Sequence, residues 1–259
     1  MLAVYARHRG QTGGTAYRSY GGHRLWTAPE IASRTYEPDN EAVDLVETEH
    51  GFQLTTPLGA TQLERQITLD AVGDSGAYVI DHRVRNCSES AVEIAPWCLT
   101  VMAPGGTCLF PQADFVAHTE SLLPVRPIVM WSYTKMSDPR WTWGDRVIRL
   151  QQTGADTPQK MGAQVVQGYA AYALHGDLFF KRFPFDPKAT YPDFGVNFET
   201  YTRDDMLEIE SLGPLTRLEP GQAITHRETW YLEHDVHVPE DDDACAEWLA
   251  QMASRLPMV

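Results

Sequence analysis

The chain has no long hydrophobic run, no recognisable leader and few cysteines. No stretch of its 259 residues approaches the ~20 apolar residues that a transmembrane helix needs. The opening residues, MLAVYARHRGQTGG, lack the basic end and apolar stretch of a secretory signal. The four cysteines include no CxxC pair, which argues against a zinc knuckle or a thioredoxin-like site. We therefore expect free thiols and a cytoplasmic, reducing location.

Short catalytic signatures are also missing. The sequence holds no GxSxG elbow, phosphate loop, HExxH helix or dinucleotide fingerprint. His226 and Glu228 share one face of a predicted strand, where they could hold a metal ion or form a hydrogen-bonded pair in the core. Because Ile224, Trp230 and Leu232 lie on the same face, we favour the core pair and predict neither a metal nor a cofactor.

Basic residues are scarce relative to acidic ones. Lys and Arg number 21 against 35 Asp and Glu, a formal net charge of −14. Nucleic acids and anionic membranes would repel such a chain, so we expect neither as a partner.

Short alternating segments separated by turns predict an all-β protein. Residues 61–70 place Leu63, Ile67 and Leu69 on one side of a strand, and residues 77–85 continue the pattern. The other segments with a strand-like sequence are 91–102 and 223–234.

Turn, loop and helix signals complete the predicted architecture. Gly176 lies between two apolar segments and predicts a tight hairpin over residues 174–178. The acidic residues at 240–243 suit the start of a helix, whose apolar face then covers a sheet. Residues 134–145 predict a long loop. We expect a large antiparallel β-supersandwich with a short C-terminal helix, forming one domain over residues 1–259.

One segment groups an imidazole, a guanidinium and an indole. His23, Arg24 and Trp26 directly follow two glycines. An indole stacks on the apolar face of a sugar, and a guanidinium donates charge-assisted hydrogen bonds to its hydroxyls. We therefore predict that these three residues bind a sugar. The alternative is that Trp26 belongs to the core and Arg24 to a surface ion pair.

Two further segments carry charged residues among apolar ones. Lys181 lies between bulky aromatics and needs an acidic partner, for which we predict Asp193 or Glu199. These three residues are candidates for substrate binding, or else for structural ion pairs. Strand alternation places Glu208 and Glu210 on one face. Their mutual repulsion would raise one pKa, which suits a general acid or base, unless the face is a solvated surface.

A resemblance to a known family is carried by three segments: GGHRLWTAPE, YPDFGVNFETYT and MLEIESLGPLTRLEPGQ. They resemble an uncharacterised bacterial domain family with a galactose-mutarotase-like fold, over roughly residues 18–235. The resemblance implies an antiparallel β-supersandwich with a carbohydrate-binding cleft. The wider superfamily includes aldose 1-epimerases, hexose-6-phosphate epimerases and polysaccharide-active domains, and the fold alone does not choose among these activities.

The resemblance also implies a mechanism. In mutarotases a glutamate removes the proton of the anomeric hydroxyl, and a histidine protonates the ring oxygen. The match of MLEIE followed by LEPGQ points to Glu210 as this base, with Glu208 one step earlier on the same face. The strand that carries the histidine resembles residues 95–106, which contain none, so the acid must come from another position. The candidates elsewhere in the chain are His23, His82, His118 and His175, of which we take His23 and His175.

Two other features follow from the same resemblance. Arg24 is similar to the arginine that holds substrate hydroxyls in the family. Family members carry leading strands before the GGHRLW segment, whereas this sequence has 20 residues there. Missing strands would leave an exposed sheet edge, which a second copy could cover to give a homodimer.

Three functions remain open at this point. The first, which we favour, is a carbohydrate-binding protein whose partner is a sugar or oligosaccharide. The second is an aldose 1-epimerase-like isomerase with Glu210 as general base. The third is a structural or interaction module with a vestigial cleft, which would leave four charged residues fully paired with one another: Arg24, Lys181, Glu199 and Glu210.

Overall fold

A computed structural model describes residues 1–5, 10–256 and 258 of the chain. Within them the strands are, in chain order, β1 (His23–Ala28), β2 (Asp44–Glu47), β3 (Gly51–Thr55), β4 (Leu63–Ala71), β5 (Ala77–Asn86), β6 (Val92–Met102), β7 (Thr107–Pro111), β8 (Ile128–Met130), β9 (Trp141–Trp143), β10 (Val147–Gln151), β11 (Gln159–Ala163), β12 (Tyr169–Leu174), β13 (Asp177–Arg182), β14 (Phe198–Arg203), β15 (Met206–Leu212), β16 (Thr216–Leu218) and β17 (Ala223–Glu233). The helical segments are α1 (Ala32–Thr35), α2 (Pro192–Gly195) and α3 (Asp242–Arg255).

The strands form two antiparallel sheets across this part of the chain. The seven-stranded sheet has the order β1-β6-β15-β14-β11-β8, with β16 also paired to β6. The ten-stranded sheet has the order β2-β3-β4-β5-β17-β13-β12-β7-β10-β9. The predicted all-β supersandwich is confirmed. That residues 1–259 form one domain, and that a sheet edge pairs with a second copy, stay predictions.

The alternating segments form strands as predicted. Residues 61–70 give β4, residues 77–85 give β5, and the segments at 91–102 and 223–234 give β6 and β17. The hairpin at 174–178 joins β12 to β13 through His175 and Gly176, both with positive φ, as a two-residue turn of this kind requires. The predicted loop at 134–145 is shorter than expected, because residues 141–143 form β9.

A hydrophobic core fills the space between the two sheets. Met102, Phe198 and Ile209 come from the seven-stranded sheet and pack with Ile80 and Phe179 of the ten-stranded sheet. Burying such side chains supplies the main stabilisation of the sandwich, at about 1.5–3 kcal/mol each.

Helix α3 covers the far side of the ten-stranded sheet, as the sequence predicts. Asp241 caps the helix, since its carboxylate accepts a hydrogen bond from the backbone N–H of Ala244 at 2.9 Å. The buried Cys245 and Leu249 pack in one cluster with Phe180. All four cysteines are free thiols. No helix among the residues described has the length and apolar character needed to cross a membrane.

Candidate functional site

The face of the seven-stranded sheet that points away from the core carries four of the predicted charged residues: Arg24, Glu199, Glu208 and Glu210. On β15, Ile209 and Ser211 point into the sandwich, so Glu208 and Glu210 point outward. Leu99 of β6 pairs with Arg24 of β1 on one side and with Glu210 of β15 on the other, so all three side chains share one face. We call this surface the outer face; its polar and aromatic residues are Arg24, Trp26, Trp97, Lys160, Glu199, Glu208 and Glu210.

Lys160 stands at the centre of a buried ionic cluster on the outer face. Its Nζ lies 2.7 Å from Glu199 Oε2 and 3.1 Å from Glu210 Oε2. Trp97 Nε1 donates a hydrogen bond of 2.7 Å to the same Glu210 oxygen. The ammonium group also lies 4.6 Å from the ring centre of Trp97 and 4.7 Å from that of Trp131. A fully buried Glu210 is therefore held by two donors.

The cluster contains more carboxylates than cations. Burial, reinforced by the nearby charge of Glu210, raises the pKa of Glu199 well above its usual value. Burial alone would lower the pKa of Lys160, but the charges of Glu199 and Glu210 outweigh it and raise that pKa. Lys160 thus stays charged, and Glu199 holds a proton more readily than an exposed glutamate does.

Glu208 is the accessible carboxylate of the outer face. Its side chain is half-buried and lines a cavity of about 20 Å³ together with Tyr17, Arg24 and Trp26. Burial, followed by repulsion from Glu210, raises the pKa of Glu208 to about 8. This group can therefore exchange a proton near neutral pH.

Aromatic rings cover the outer face beside Glu208. Trp26 contacts Trp97 edge-on at 5.1 Å between ring centres and Tyr36 at 5.5 Å. Tyr17 lies 6.1 Å from Trp26, and the Arg24 guanidinium lies 4.9 Å from the Tyr17 ring centre. Trp26 thus belongs to an aromatic cluster at the edge strand β1 and is only partly buried.

A larger cavity of about 200 Å³ adjoins this cluster between β1 and the start of the ten-stranded sheet. We call it the arginine cavity; its lining includes Tyr20, His23, Arg24, Asp39, Thr56 and Arg65. Arg24 Nη2 donates to Asp39 Oδ1 and to the carbonyl of Arg18, each at 3.0 Å. Arg65 Nη1 lies 3.7 Å from Glu37 Oε2, too far for a hydrogen bond. The Glu37 carboxylate instead accepts hydrogen bonds from the backbone N–H and the hydroxyl of Thr61.

Two guanidinium N–H groups at the arginine cavity lack an acceptor. Arg24 Nη1 and Arg65 Nε are buried and make no hydrogen bond within the described ranges of the chain. An unsatisfied buried donor costs about 1–3 kcal/mol, and more when it is charged. Burial accordingly lowers the pKa of Arg65. Both arginines line the cavity, so an acceptor bound there would lie beside their guanidinium groups.

His23 does not reach the outer face. It points into the sandwich, where its Nε2 lies 2.6 Å from His82 Nε2. His82 Nδ1 donates to the carbonyl of His226 at 3.0 Å, so its Nε2 accepts from His23. Burial, with repulsion from His82, lowers the pKa of His23 well below its usual value. The structure therefore separates His23 from Glu210 by the thickness of the sheet.

Lys181 pairs with neither predicted partner, so that prediction is wrong. Its Nζ lies 2.9 Å from Glu228 Oε1, and both side chains are fully buried between the sheets. Glu228 also accepts hydrogen bonds from Ser211 at 2.5 Å and Trp230 at 2.7 Å. Burial would raise the pKa of Glu228, but the charge of Lys181 outweighs it and holds that pKa below its usual value. The pair could not be predicted from the sequence, because β13 and β17 are distant along the chain and become neighbours only in the folded sheet.

The same interior region contains the side chains nearest to a metal-binding arrangement. His226 bonds to Ser211 at 2.8 Å, as part of a hydrogen-bonded core network. Two groups have ligand atoms within 4.8 Å of one another: His23, His82 and Glu228, and Cys98, His226 and Glu228. These polar atoms are engaged with one another, and a divalent ion at Glu228 would lie beside the Lys181 ammonium. We assign no metal to this network.

Two predicted residues lie apart from the Arg24 surroundings. His175 occupies the turn between β12 and β13. Asp193 lies in α2, where it and Phe194 both adopt positive φ, and its charge contributes to the raised pKa of Glu199. Phe194 is 91% exposed. The backbone is therefore strained at Asp193 and Phe194, close to Glu199 of the ionic cluster. Strained backbone of this kind occurs often at functional sites.

Sequence reasoning missed several residues of the site. Lys160 lies on the short strand β11, whose sequence QKMGA carries no motif. Arg65 shares the apolar side of β4 with Leu63 and Ile67, so strand parity could have identified it as a charged residue on a buried face. Trp97 points outward from β6. The strand-parity argument that placed Glu210 on the outer face would also have placed Trp97 there.

Comparison with known proteins supports the fold. No family model and no curated protein sequence matches the chain. A solved structure from Klebsiella pneumoniae, described as a candidate aldose 1-epimerase, is 12% identical with a TM-score of 0.56, covering 98% of this chain and 72% of its own. A candidate aldose 1-epimerase from Escherichia coli K12 is 12% identical with a TM-score of 0.51, covering 86% and 80%. A candidate mutarotase from Salmonella typhimurium is 9% identical with a TM-score of 0.52, covering 87% and 78%.

The fold is therefore that of the galactose mutarotase-like proteins. At these identities the similarity establishes architecture and leaves the activity to be argued from the site.

Proposed function

We propose that this protein binds a carbohydrate, with the sugar in the arginine cavity and against the adjoining part of the outer face. The observation that carries the proposal is the pair of buried guanidinium N–H groups without acceptors, Arg24 Nη1 and Arg65 Nε, beside one cavity of about 200 Å³. A sugar offers several hydroxyl oxygens as acceptors within a small volume. Placing them there would remove the cost of two unsatisfied donors.

The surroundings of Arg24 supply the other contacts that a sugar needs. Arg24 lines both the arginine cavity and the small cavity shared with Trp26 and Glu208. The rings of Trp26 and Tyr17 offer apolar surface for the C–H face of a sugar. Glu208 and Asp39 offer carboxylate acceptors for its hydroxyl protons. Solved proteins of the same fold described as candidate aldose 1-epimerases are consistent with a sugar ligand.

A second candidate function, sugar modification by acid–base chemistry, is favoured by the pKa of Glu208. This carboxyl has a pKa of about 8 and lies at a cavity. Glu210, which the sequence suggests as the base, is fully buried and held by Lys160 and Trp97. We therefore assign the proton-transfer role in this alternative to Glu208. Neither His23 nor His175 lies beside it in the structure, so the enzyme proposal stands second to binding.

The vestigial-module hypothesis has less support. It requires the charged residues to be paired with one another, whereas Arg24 pairs with Asp39 and Lys181 with Glu228. The unsatisfied donor groups of Arg24 and Arg65 would then have no purpose.

Isothermal titration calorimetry against a panel of monosaccharides, uronic acids and oligosaccharides tests the binding proposal. We expect at least one sugar to bind and R65Q to weaken it by about tenfold or more, because a hydrogen bond from a charged group is lost. R217Q is the matched control, since Arg217 is exposed and pairs with Glu219. Absence of binding across the panel would contradict the proposal, as would equal binding by the two variants.

Polarimetry tests the enzyme alternative. Wild-type protein would accelerate anomer exchange of the sugar that binds, and E208Q would abolish the acceleration. E219Q is the matched control, because Glu219 lies in an exposed ion pair. Acceleration that survives in E208Q would rule out Glu208 as the proton-transfer group.

A further inference from the structure

A second cavity, of about 380 Å³, is lined by Trp230, whose N–H group donates to Glu228 of the buried network. We call it the Trp230 cavity; its lining residues are Met1, Leu2, Tyr78, Asp177, Leu178, Phe179, Trp230, Leu232, Glu233 and His234. It shares no residue with the arginine cavity or with the small cavity at Glu208. Its volume falls within the usual range of small-molecule sites.

The walls of the Trp230 cavity are apolar and aromatic. Phe179 and Trp230 contact each other edge-on, with 5.3 Å between ring centres. The Trp230 N–H already donates to Glu228, so the indole offers only its ring surface to the cavity. Tyr78 and Leu232 remain partly exposed on the same wall. Such a wall suits an aromatic or aliphatic group and gives a sugar ring few hydrogen-bond partners.

Two acidic residues, Asp177 and Glu233, line the cavity, and the basic side chain among its lining residues is that of His234. His234 Nδ1 lies 2.7 Å from Asp177 Oδ1 on an exposed part of the surface. A ligand ammonium could take the place of His234 beside Asp177, and the net charge of −14 would attract it.

We infer that the Trp230 cavity binds a small aromatic amine, with its ring against Phe179 and Trp230 and its ammonium group at Asp177 and Glu233. Aromatic walls also stabilise a cation placed near their rings. A carboxylate in the same position would meet two acidic side chains. This site is independent of the proposed sugar site, because its residues and its ligand chemistry both differ.

Calorimetric titration with three ligands of similar size tests the inference: 2-phenylethylamine, 2-phenylethanol and 3-phenylpropionate. We expect the amine to bind most tightly and the carboxylate most weakly. L232W should abolish amine binding by filling the cavity. L45W is the matched control, because Leu45 and Leu232 are exposed to 59% and 49% and Leu45 lies on the distant strand β2.

A second variant isolates the charge. D177N should weaken amine binding up to about fivefold, the range of a surface ion pair, and leave 2-phenylethanol binding unchanged. Circular dichroism melts confirm that each variant is folded. The inference is overturned if the amine fails to bind at ~1 mM, a free energy near −4 kcal/mol, if L232W binds it like L45W, or if the carboxylate binds as tightly.

Discussion

Arg24 and Arg65 come from different sheets, yet they line one cavity of about 200 Å³ and each leaves a buried N–H group without an acceptor. Arg24 belongs to β1 of the seven-stranded sheet, and Arg65 to β4 of the ten-stranded sheet. Proteins seldom leave such donors unsatisfied. The proposed sugar site therefore lies between the edge strand β1 of one sheet and β4 of the other.

The Lys181–Glu228 pair should be essential for stability. Replacing Lys181 by methionine leaves a fully buried carboxylate without its cation, which costs about 3–5 kcal/mol of unfolding free energy. Urea denaturation measures the loss. K188M is the matched control and should change stability by less than about 0.5 kcal/mol, because Lys188 is exposed. The double variant K181M/E228Q should recover part of the loss, and a K181M protein as stable as K188M would contradict this account.

The buried histidines should make the protein sensitive to acid. Burial lowers the pKa of His226 from 6.5 to about 3. The folded state takes up this proton less readily than the unfolded chain, so the stability that His226 contributes is complete above pH 6.5 and is lost as the pH falls toward 3.

H226Q removes this titration and keeps an N–H donor toward Ser211. Between pH 6 and 4, the slope of unfolding free energy against pH should fall by up to about 1.4 kcal/mol per unit relative to wild type. H118Q, at an exposed position, should keep the wild-type slope. Identical slopes for H226Q and wild type would show that His226 is protonated in the folded protein.

Glu208 should have the opposite pH dependence. Its pKa is raised from 4.5 to about 8, so the folded state holds this proton more tightly than the unfolded chain. The stability it contributes is complete below pH 4.5 and is lost as the pH rises toward 8. The uncharged E208Q should therefore gain stability relative to wild type between pH 5 and 8, as measured by urea denaturation. E219Q should show a constant difference, and a constant difference for E208Q would contradict the raised pKa.

Trp97 should stabilise the Lys160 cluster through its N–H group. W97F removes a 2.7 Å hydrogen bond to the buried Glu210 carboxylate, which costs about 1.5–3 kcal/mol. W248F is the matched control, because Trp248 lies partly buried on α3, away from the cluster. Equal thermal stability of the two variants would mean that Lys160 alone holds Glu210.

The sequence predicted what depends on local pattern. Alternation identified β4, β5 and β17, and the acids at 240–243 marked the start of α3. Strand parity also placed Glu208 and Glu210 on one face. These inferences hold because a strand has a period of two and a helix of 3.6, whatever the partner strands are.

The parts that failed depend on which strands become neighbours. His23 and Arg24 are adjacent in sequence, yet parity along β1 sends them to opposite faces, so only Arg24 reaches the outer face. Lys181 forms its ion pair with Glu228 because β13 pairs with β17. Arg65 lies near Arg24 because β1 and β4 pack against each other across the sandwich, which no local pattern in the sequence records.

The most direct test of the central claim is a crystal structure of the protein soaked with the sugar that binds best in calorimetry. We predict sugar density in the arginine cavity, with oxygen atoms within hydrogen-bond distance of Arg24 Nη1 and Arg65 Nε. Sugar density elsewhere, with both N–H groups still lacking an acceptor, would contradict the account.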